Sequence, residues 1–290
     1  MMSAVVGLGE ILWDVLPGGR RLGGAPANFA YHAGSLGAVG SVVSCVGDDE
    51  LGRDILDRLG ALGLDASCVA IDPGHATGIV DVEVDAAGVP CYTIREDVAW
   101  DHMPFTPAVC GAVSKADAIC FGTLCQRAPD SRHTVEQALA AARPGALRVL
   151  DLNLRPPFTD HAVILSSLER ADVVKLNDEE LAVLAELLLL PSGEEAGVRS
   201  LRERYSLRVV ALTRGSRGSL LYDGDISEHP GVAARVVDTV GAGDAFTAAL
   251  VIGLLRGLSL DVINAAANRL AAHVCAHSGA TPLPPDQPVF

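Results

Sequence analysis

The stretch Asp238-Thr239-Val240-Gly241-Ala242-Gly243-Asp244 lies where a run expected to be extended, 234–237, meets a long apolar helix predicted over 245–255. Gly241 and Gly243 let the backbone turn sharply and approach a ligand closely. A helix that begins at such a turn aims its free N–H groups and positive dipole end into it, which makes an anion site. Asp244 places a carboxylate at the same spot. An acid before an apolar helix is commonly a cap. An acid beside an anion hole repels a bound anion. It serves chemistry when it takes the proton from a hydroxyl that attacks a phosphoryl group.

Composition narrows the partners. The chain has 290 residues, is 49% hydrophobic and carries a net charge of −14, with a pI of about 4.9. A chain of this size buries roughly 75% of its unfolded surface. The acidic balance argues against nucleic acid and against an anionic membrane surface, both of which draw on basic patches. The apolar runs 181–190 and 245–255 are too short to span a bilayer, and the N-terminus carries no basic segment followed by an apolar core. A soluble, cytoplasmic protein is expected. Lys115 and Lys175 are the two lysines, and neither stands in a G-x-x-x-x-G-K-[ST] string, so a P-loop is excluded. Phosphate would have to be met by backbone N–H groups, arginine and a metal ion. The seven cysteines are scattered without a C-x-x-C pair and read as small buried residues of a reducing compartment. His273 and His277 share a helix face, but with no further ligand in view they do not read as a metal site.

Short β-branched runs at 4–8, 41–46, 118–121, 148–151, 172–176, 209–213 and 219–222 alternate with helical patterns at 26–36, 50–62, 131–142, 179–188 and 194–204. Strands alternating with helices predict a mostly parallel sheet covered on both faces. Two segments break the rhythm. Residues 11–22 read as an extended hairpin turning at Pro17-Gly18-Gly19. In 78–96, Ile79, Asp81, Glu83 and Asp85 interleave with Val80, Val82 and Val84 before the turn Asp85-Ala86-Ala87-Gly88. Period-two alternation means a sheet with one wet face. The two segments are expected to leave the main sheet together as a small lid on a single domain, 1–290. An apolar lid face needs cover, and a second subunit's lid is the simplest cover, so a homodimer is expected.

Four further strings fall at strand ends or helix starts. Gly23-Gly24-Ala25-Pro26-Ala27-Asn28-Phe29-Ala30 pairs glycines with an amide in the first turn of a helix. Asp151-Leu152-Asn153-Leu154-Arg155-Pro156 ends a strand, where ligands of parallel sheets bind. Asn177-Asp178-Glu179-Glu180 follows the next strand, and Thr213-Arg214-Gly215-Ser216-Arg217-Gly218 bridges two more. Taken singly, each has an ordinary structural reading as a cap, a solvated loop or a tight turn.

Together, and in this order, the five strings resemble the signatures of the ribokinase/PfkB carbohydrate kinase family over essentially the whole chain. The heptapeptide is similar to its D-T-x-G-A-G-D signature, and the string at Gly23 to its G-G-x-x-x-N-x-A signature. The resemblance implies a ribokinase-like three-layer α/β sandwich with a small β-sheet lid. It implies Asp244 as catalytic base, with Gly241, Ala242 and Gly243 forming the anion hole. Asp14, Gly23, Gly24 and Asn28 fall on the sugar, with Asn153 and Arg155; Arg155 could face either the sugar or the transferred phosphate. Asn177, Thr213, Gly215, Gly218 and, on one residue alone, Asn268 fall on ATP. Asn177 and Glu180 would hold Mg2+ through water, and a monovalent cation (K+) near Asp238 and Gly279 would follow some relatives.

Within the family, Gly-Glu-Ile-Leu-Trp-Asp at 9–14, the string at 22–30 and the segment 92–101 look most like fructokinases, with Arg95 reaching into the sugar pocket, while the D-x-N-x-R-P string looks like that of fructokinases and of 2-keto-3-deoxygluconate kinases alike. That implies ATP-dependent phosphorylation of fructose to fructose 6-phosphate. A 2-keto-3-deoxygluconate kinase is the nearest rival, since Arg95 and Arg155 would suit a carboxylate; ribokinase is another. From other classes, a dinucleotide-dependent oxidoreductase is suggested by Gly7-Leu8-Gly9 but lacks the third glycine, which is Leu12. A non-catalytic sugar sensor sits badly with Asp244 and an intact anion hole.

Overall fold

The computed structural model describes the backbone of residues 2–16, 18–84 and 90–290, and their side chains apart from 82–84 and 90–92. The turn expected at 85–88, the side chains of Val82 and Val84, and Pro17 lie outside these residues.

Seven strands form the parallel body of a nine-stranded sheet: β1 (Ala4–Leu8), β4 (Val39–Gly47), β5 (Asp65–Asp72), β8 (Ala118–Phe121), β9 (Leu147–Asp151), β10 (Val173–Asn177) and β11 (Val209–Thr213). Two antiparallel strands, β12 (Ser219–Tyr222) and β13 (Ile226–His229), complete one edge, giving the order β13-β12-β11-β10-β9-β8-β1-β4-β5. Successive side chains alternate faces along a strand. Val5, Ala118 and Cys120 therefore enter one core and Val6, Ile119 and Phe121 the other. Both faces are buried, which is why these strands are continuously apolar.

Helices α1 (Ala25–Ser35), α2 (Glu50–Ala61), α8 (Ala242–Leu255) and α9 (Leu260–Cys275) cover one face. The opposite face carries α3 (Pro107–Val113), α4 (Pro129–Ala141), α5 (His161–Arg170), α6 (Asp178–Leu188) and α7 (Glu194–Tyr205). Helix α8 is wedged between the sheet, α1 and α9, so its residues from Ala245 to Gly253 are all buried. That placement explains why it is apolar on every side. Among the described residues no helix is long and apolar enough to cross a membrane.

A second sheet projects from the body in the order β3-β2-β6-β7, built from β2 (Leu12–Leu16), β3 (Gly19–Gly23), β6 (Gly78–Val84) and β7 (Pro90–Ile94). It is mixed: β2 runs parallel to β6 and antiparallel to β3. Trp13, Val15 and Leu22 pack it onto the core between α1 and α2, while Leu12 and Val80 meet Leu16 and Ile94 on its other face.

Two expectations are corrected. Residues 234–237 form no strand; they are exposed and belong to no ladder. Helix α8 begins at Ala242, not 245, with Gly241 as its N-cap in the left-handed region (φ 81°). A Cβ there would lie 2.6–2.8 Å from Ala280, so the position requires glycine twice over. Asp244 is consequently inside the first turn, not its cap.

Candidate active site

The carboxyl ends of β1, β8 and β9 face the N-termini of α1 and α8 across a narrow cleft lined in part by Glu10, Gly122, Asp151, Asn153 and Asp244. Helix α1 starts at Gly24 (φ 113°), whose missing side chain lets the turn lie against the Glu10 carbonyl; a Cβ would come within 2.5 Å of it. That approach carries Asn28 inward. Its Nδ2 donates to Asp244 Oδ2 at 2.8 Å, which joins the two most distant signatures, 216 residues apart, in one hydrogen bond. Asn28 Oδ1 is buried with no partner among the described residues.

Asp244 sits beside the first-turn N–H groups of α8. The N–H of Ala242 turns back to the Thr239 carbonyl at 3.3 Å, leaving the following amides of the turn to face an anion. Burial raises the Asp244 carboxyl to about 6, and the nearby Asp151 adds to this; the Asn28 hydrogen bond, Lys175 and Arg155 oppose it. Such a carboxylate accepts protons better than an exposed one and is still largely ionised at neutral pH.

A cation that the sequence reading left unassigned stands next to this turn. Lys175 is buried on β10, and Asp151 is its register partner on β9. Its Nζ pairs with Asp151 Oδ1 at 3.0 Å, and Asp151 Oδ2 accepts from Thr247 at 2.8 Å. Burial would strip the proton from an isolated lysine. Asp151, then Glu180 and Asp244, reverse this and raise its pKa above the ordinary value. A Cβ on Gly243 would lie 2.9 Å from that ammonium, so Gly243 lets the cation reach the anion site. Lys175 thus adds a buried cation beside the backbone N–H groups of the turn. Glu10 was also passed over. It is buried at the end of β1 with Oε2 unpartnered, and burial pushes it up to about 7.

Asp14 lies on β2 close to Gly23, where a Cβ would meet its Oδ2 at 2.6 Å. Burial raises its carboxyl to about 6, while Arg155 and Arg21 pull it down and Asp238 pushes it up. These groups therefore gather around one space between lid and body. Asp238 fixes the geometry: its Oδ2 accepts from lid residue Arg21 at 2.8 Å and from the Gly279 N–H at 3.0 Å. Asn153 lines the cleft in a left-handed conformation (φ 40°). Arg155 is exposed at its mouth.

Other assigned residues make different contacts. Arg95 holds Asp81 on the same lid sheet through bonds of 2.8 and 3.0 Å and does not enter the cleft in this structure. Asn177 and Glu180 form a capping box at the start of α6. Glu180 Oε2 accepts the Asn177 N–H and Oε1 the Leu154 N–H, both at 2.8 Å, so the carboxylate ties β10 to the loop after β9. Each oxygen keeps a lone pair for water. Thr213 ends β11 beside Asn177, and Gly215 and Gly218 both adopt positive φ in the loop that follows. Asn268 is buried, its Nδ2 on Ser219 Oγ at 2.7 Å and on Asn264, which makes it part of the packing of α9 on β12. The ring nitrogens of His273 and His277 bond the carbonyls of Leu283 and His273.

The model of the pfkB family carbohydrate kinases matches residues 17–287. A fructokinase of Salmonella typhimurium is 31% identical over 293 residues, covering 90% of this chain and 88% of its own. An uncharacterized sugar kinase of Pyrococcus horikoshii is 31% identical over 262 residues, 87% of this chain and 80% of its own. Its crystal structure superposes with a TM-score of 0.84 over 96% of this chain and 94% of its own, at 28% identity, and it has also been solved in complex with ATP. A fructokinase of Vibrio cholerae, solved with fructose, ADP and potassium ion, shares the fold at 24% identity with a TM-score of 0.78, over 97% of this chain and 94% of its own. A family model spanning nearly the whole chain, laid over a nine-stranded sheet whose α1 and α8 turns meet at Asn28 and Asp244, identifies the chain as a member of the pfkB family of carbohydrate kinases, an ATP-dependent sugar kinase.

Proposed function

We propose that the chain transfers the γ-phosphoryl group of ATP to the primary hydroxyl of fructose, giving fructose 6-phosphate and ADP. The observation that carries this reading is the 2.8 Å bond between Asn28 and Asp244 beside a buried, charged Lys175. One amide orients the carboxylate that must take a proton, and one cation stands where negative charge arrives. The sugar hydroxyl oxygen forms a bond to the γ-phosphorus as its proton passes to Asp244. The bond from that phosphorus to the ADP oxygen breaks, and the electron pair leaves with ADP. The N–H groups of Gly243 and Asp244, with Lys175 Nζ, stabilise the charge on the transferred group.

Asn28 Oδ1, buried and unpartnered, accepts a sugar hydroxyl, and Asp14 accepts two more. Arg95 and Arg155 come to the sugar from the lid and the mouth, Arg95 by exchanging Asp81 for substrate on closure. The loop from Thr213 to Gly218 takes the nucleotide. Mg2+ would be held through water by Asn177 and Glu180, whose remaining lone pairs suit water ligands, and would neutralise triphosphate charge. Potassium beside Asp238 and Gly279 would support the anion-hole turn. The likeness to fructokinases over most of the chain supports fructose. A panel of free sugars assayed for ATP turnover tests it. The highest kcat/KM should fall to fructose, and a higher value for 2-keto-3-deoxygluconate would instead give Arg155 a carboxylate partner.

Asp14→Ala should raise the KM for fructose strongly and leave that for ATP within about twofold, because the residue lies only on the sugar side. A variant with weakened ATP and normal fructose kinetics contradicts that placement. The lid faces of two chains, carrying the half-buried Leu16 and Ile94, would clasp in a cytoplasmic homodimer. Light scattering at micromolar concentration should give twice the mass of one chain; a monomer there excludes the clasp.

A further inference from the structure

Four segments connect the lid to the body, and two of them belong to its second hairpin: residues 73–77 lead from β5 into β6, and residues 95–98 lead out of β7. They run side by side, the Ala99 N–H donating to the Ala76 carbonyl at 2.8 Å. His75 stands on the inward crossing, Asp97 on the outward one, and His102 at the end of the short 3-10 turn that follows. The Nε2 atoms of both histidines face Asp97 Oδ1, at 3.7 Å from His75 and 3.0 Å from His102. Among the described residues these three side chains form the one group of His, Cys, Asp and Glu whose donor atoms lie within 4.8 Å of one another.

The opposite ring edges are occupied in a telling way. His75 Nδ1 is 2.8 Å from Asp72 Oδ2, and His102 Nδ1 is 3.2 Å from Asp130 Oδ2. On His75 the Nδ1 carboxylate favours the tautomer with Nε2 bare, whereas His102 has a carboxylate on each nitrogen, with the shorter contact, 3.0 Å, on Nε2, where a metal would take the place of the ring proton; a carboxylate on Nδ1 is how metal-bound histidines are commonly supported. Two such histidines with one carboxylate make a three-ligand set. Bonds of about 2.0–2.1 Å at tetrahedral angles space the ligand atoms by roughly 3.3 Å, between the two separations observed. The imidazole rings are stacked, with centroids 3.6 Å apart and planes 12° from parallel. A metal that takes both Nε2 atoms must open the rings from that stack, pivoting about the Nδ1 contacts, and both side chains are partly exposed. Asp97 is exposed and leaves the remaining coordination positions to water.

We propose that His75, His102 and Asp97 bind a zinc-class divalent transition metal at the root of the lid, with Asp72 and Asp130 orienting the two imidazoles. Two nitrogen donors favour Zn2+, Co2+ or Ni2+ over Mg2+ and Ca2+, which take oxygen. The ligands come from both of these crossings, so the metal ties the two connections of the second hairpin together. This site is separate from the phosphate cleft and does not depend on which sugar is phosphorylated.

The test is titration of nucleotide-free, chelator-treated protein with Co2+, followed by its visible d–d absorption, with Zn2+ as competitor. One equivalent should bind, and Zn2+ should displace it. His102→Gln and Asp97→Asn should abolish the band, and Asp72→Asn should weaken binding by about 10–100-fold, each variant keeping the far-UV circular dichroism of the parent. Proton NMR of the Co2+ form of the unaltered protein adds a readout that needs no variant. Two hyperfine-shifted, exchangeable imidazole N–H signals are expected, one from each Nδ1. No uptake of Co2+, a band unchanged in His102→Gln, or the absence of those two signals overturns the proposal.

Discussion

Asp244→Asn is expected to lower kcat by about 10²–10⁴-fold, the usual contribution of a general base, while leaving the sugar KM within a few fold. The substitution keeps the shape and the contact with Asn28 and removes only the proton acceptor. Steady-state kinetics under conditions where chemistry limits the rate are the check, and a variant with half the parent kcat rules out the assignment. The same carboxylate sets the pH dependence. A base works when deprotonated, and burial has raised this one to about 6, so activity is lost as the pH falls through that value and is complete well above it. Asp14, at about 6, and Glu10, at about 7, share the space. The expected acid limb therefore belongs to the cluster, and kcat of the variant is the sharper test.

The second large effect is expected from Gly243→Val. The new side chain meets Lys175 Nζ, which is pinned by Asp151 and cannot withdraw freely, and it crowds the first-turn amides proposed to take the phosphoryl group. Losing one preorganised donor costs about 2.7–4 kcal/mol in the barrier, so kcat should fall by about 10²–10³-fold with sugar affinity nearly kept. An unchanged kcat in a folded variant contradicts this geometry. Substituting Lys175 itself is a poorer probe. It would leave Asp151 buried without its cation, and breaking a buried pair destabilises by ~3–5 kcal/mol.

What could be read in advance follows from where the information lies. The strands at Ala4–Leu8, Ala118–Phe121, Val209–Thr213 and Ser219–Tyr222 are visible as apolar runs because both faces of the sheet are covered. Strand β5 was not singled out. It forms the sheet edge, where polar Asp65, Ser67 and Asp72 flank the short apolar run from Cys68 to Ile71 and Ile71 itself is exposed. The start of α8 was placed three residues late, because glycine propensity argues against helix where a left-handed Gly241 in fact caps one. Asn28 and Asp244 carried legible motifs, but the bond between them depends on the packing of α1 against α8. Lys175 could not be assigned by its neighbours in sequence. Its partner is set by the β9–β10 register, which brings Asp151 opposite it from 24 residues away. Asn268 carries a nucleotide expectation on one residue alone, and in this structure its amide donates to Ser219 and Asn264, contacts no single-chain pattern displays. His75 and His102 meet only because the lid leaves and re-enters the body at adjacent points.

The central claim is that a hydroxyl of fructose is deprotonated by Asp244 as it takes the γ-phosphoryl group. Phosphorus NMR of the protein with ATP, Mg2+ and fructose tests it directly, with Asp244→Asn run alongside. The account predicts a fructose 6-phosphate resonance growing in equal amount with ADP, and neither growing at a comparable rate in the variant. ADP formed with inorganic phosphate and no sugar phosphate, or sugar phosphate formed equally fast without the carboxylate, would contradict it.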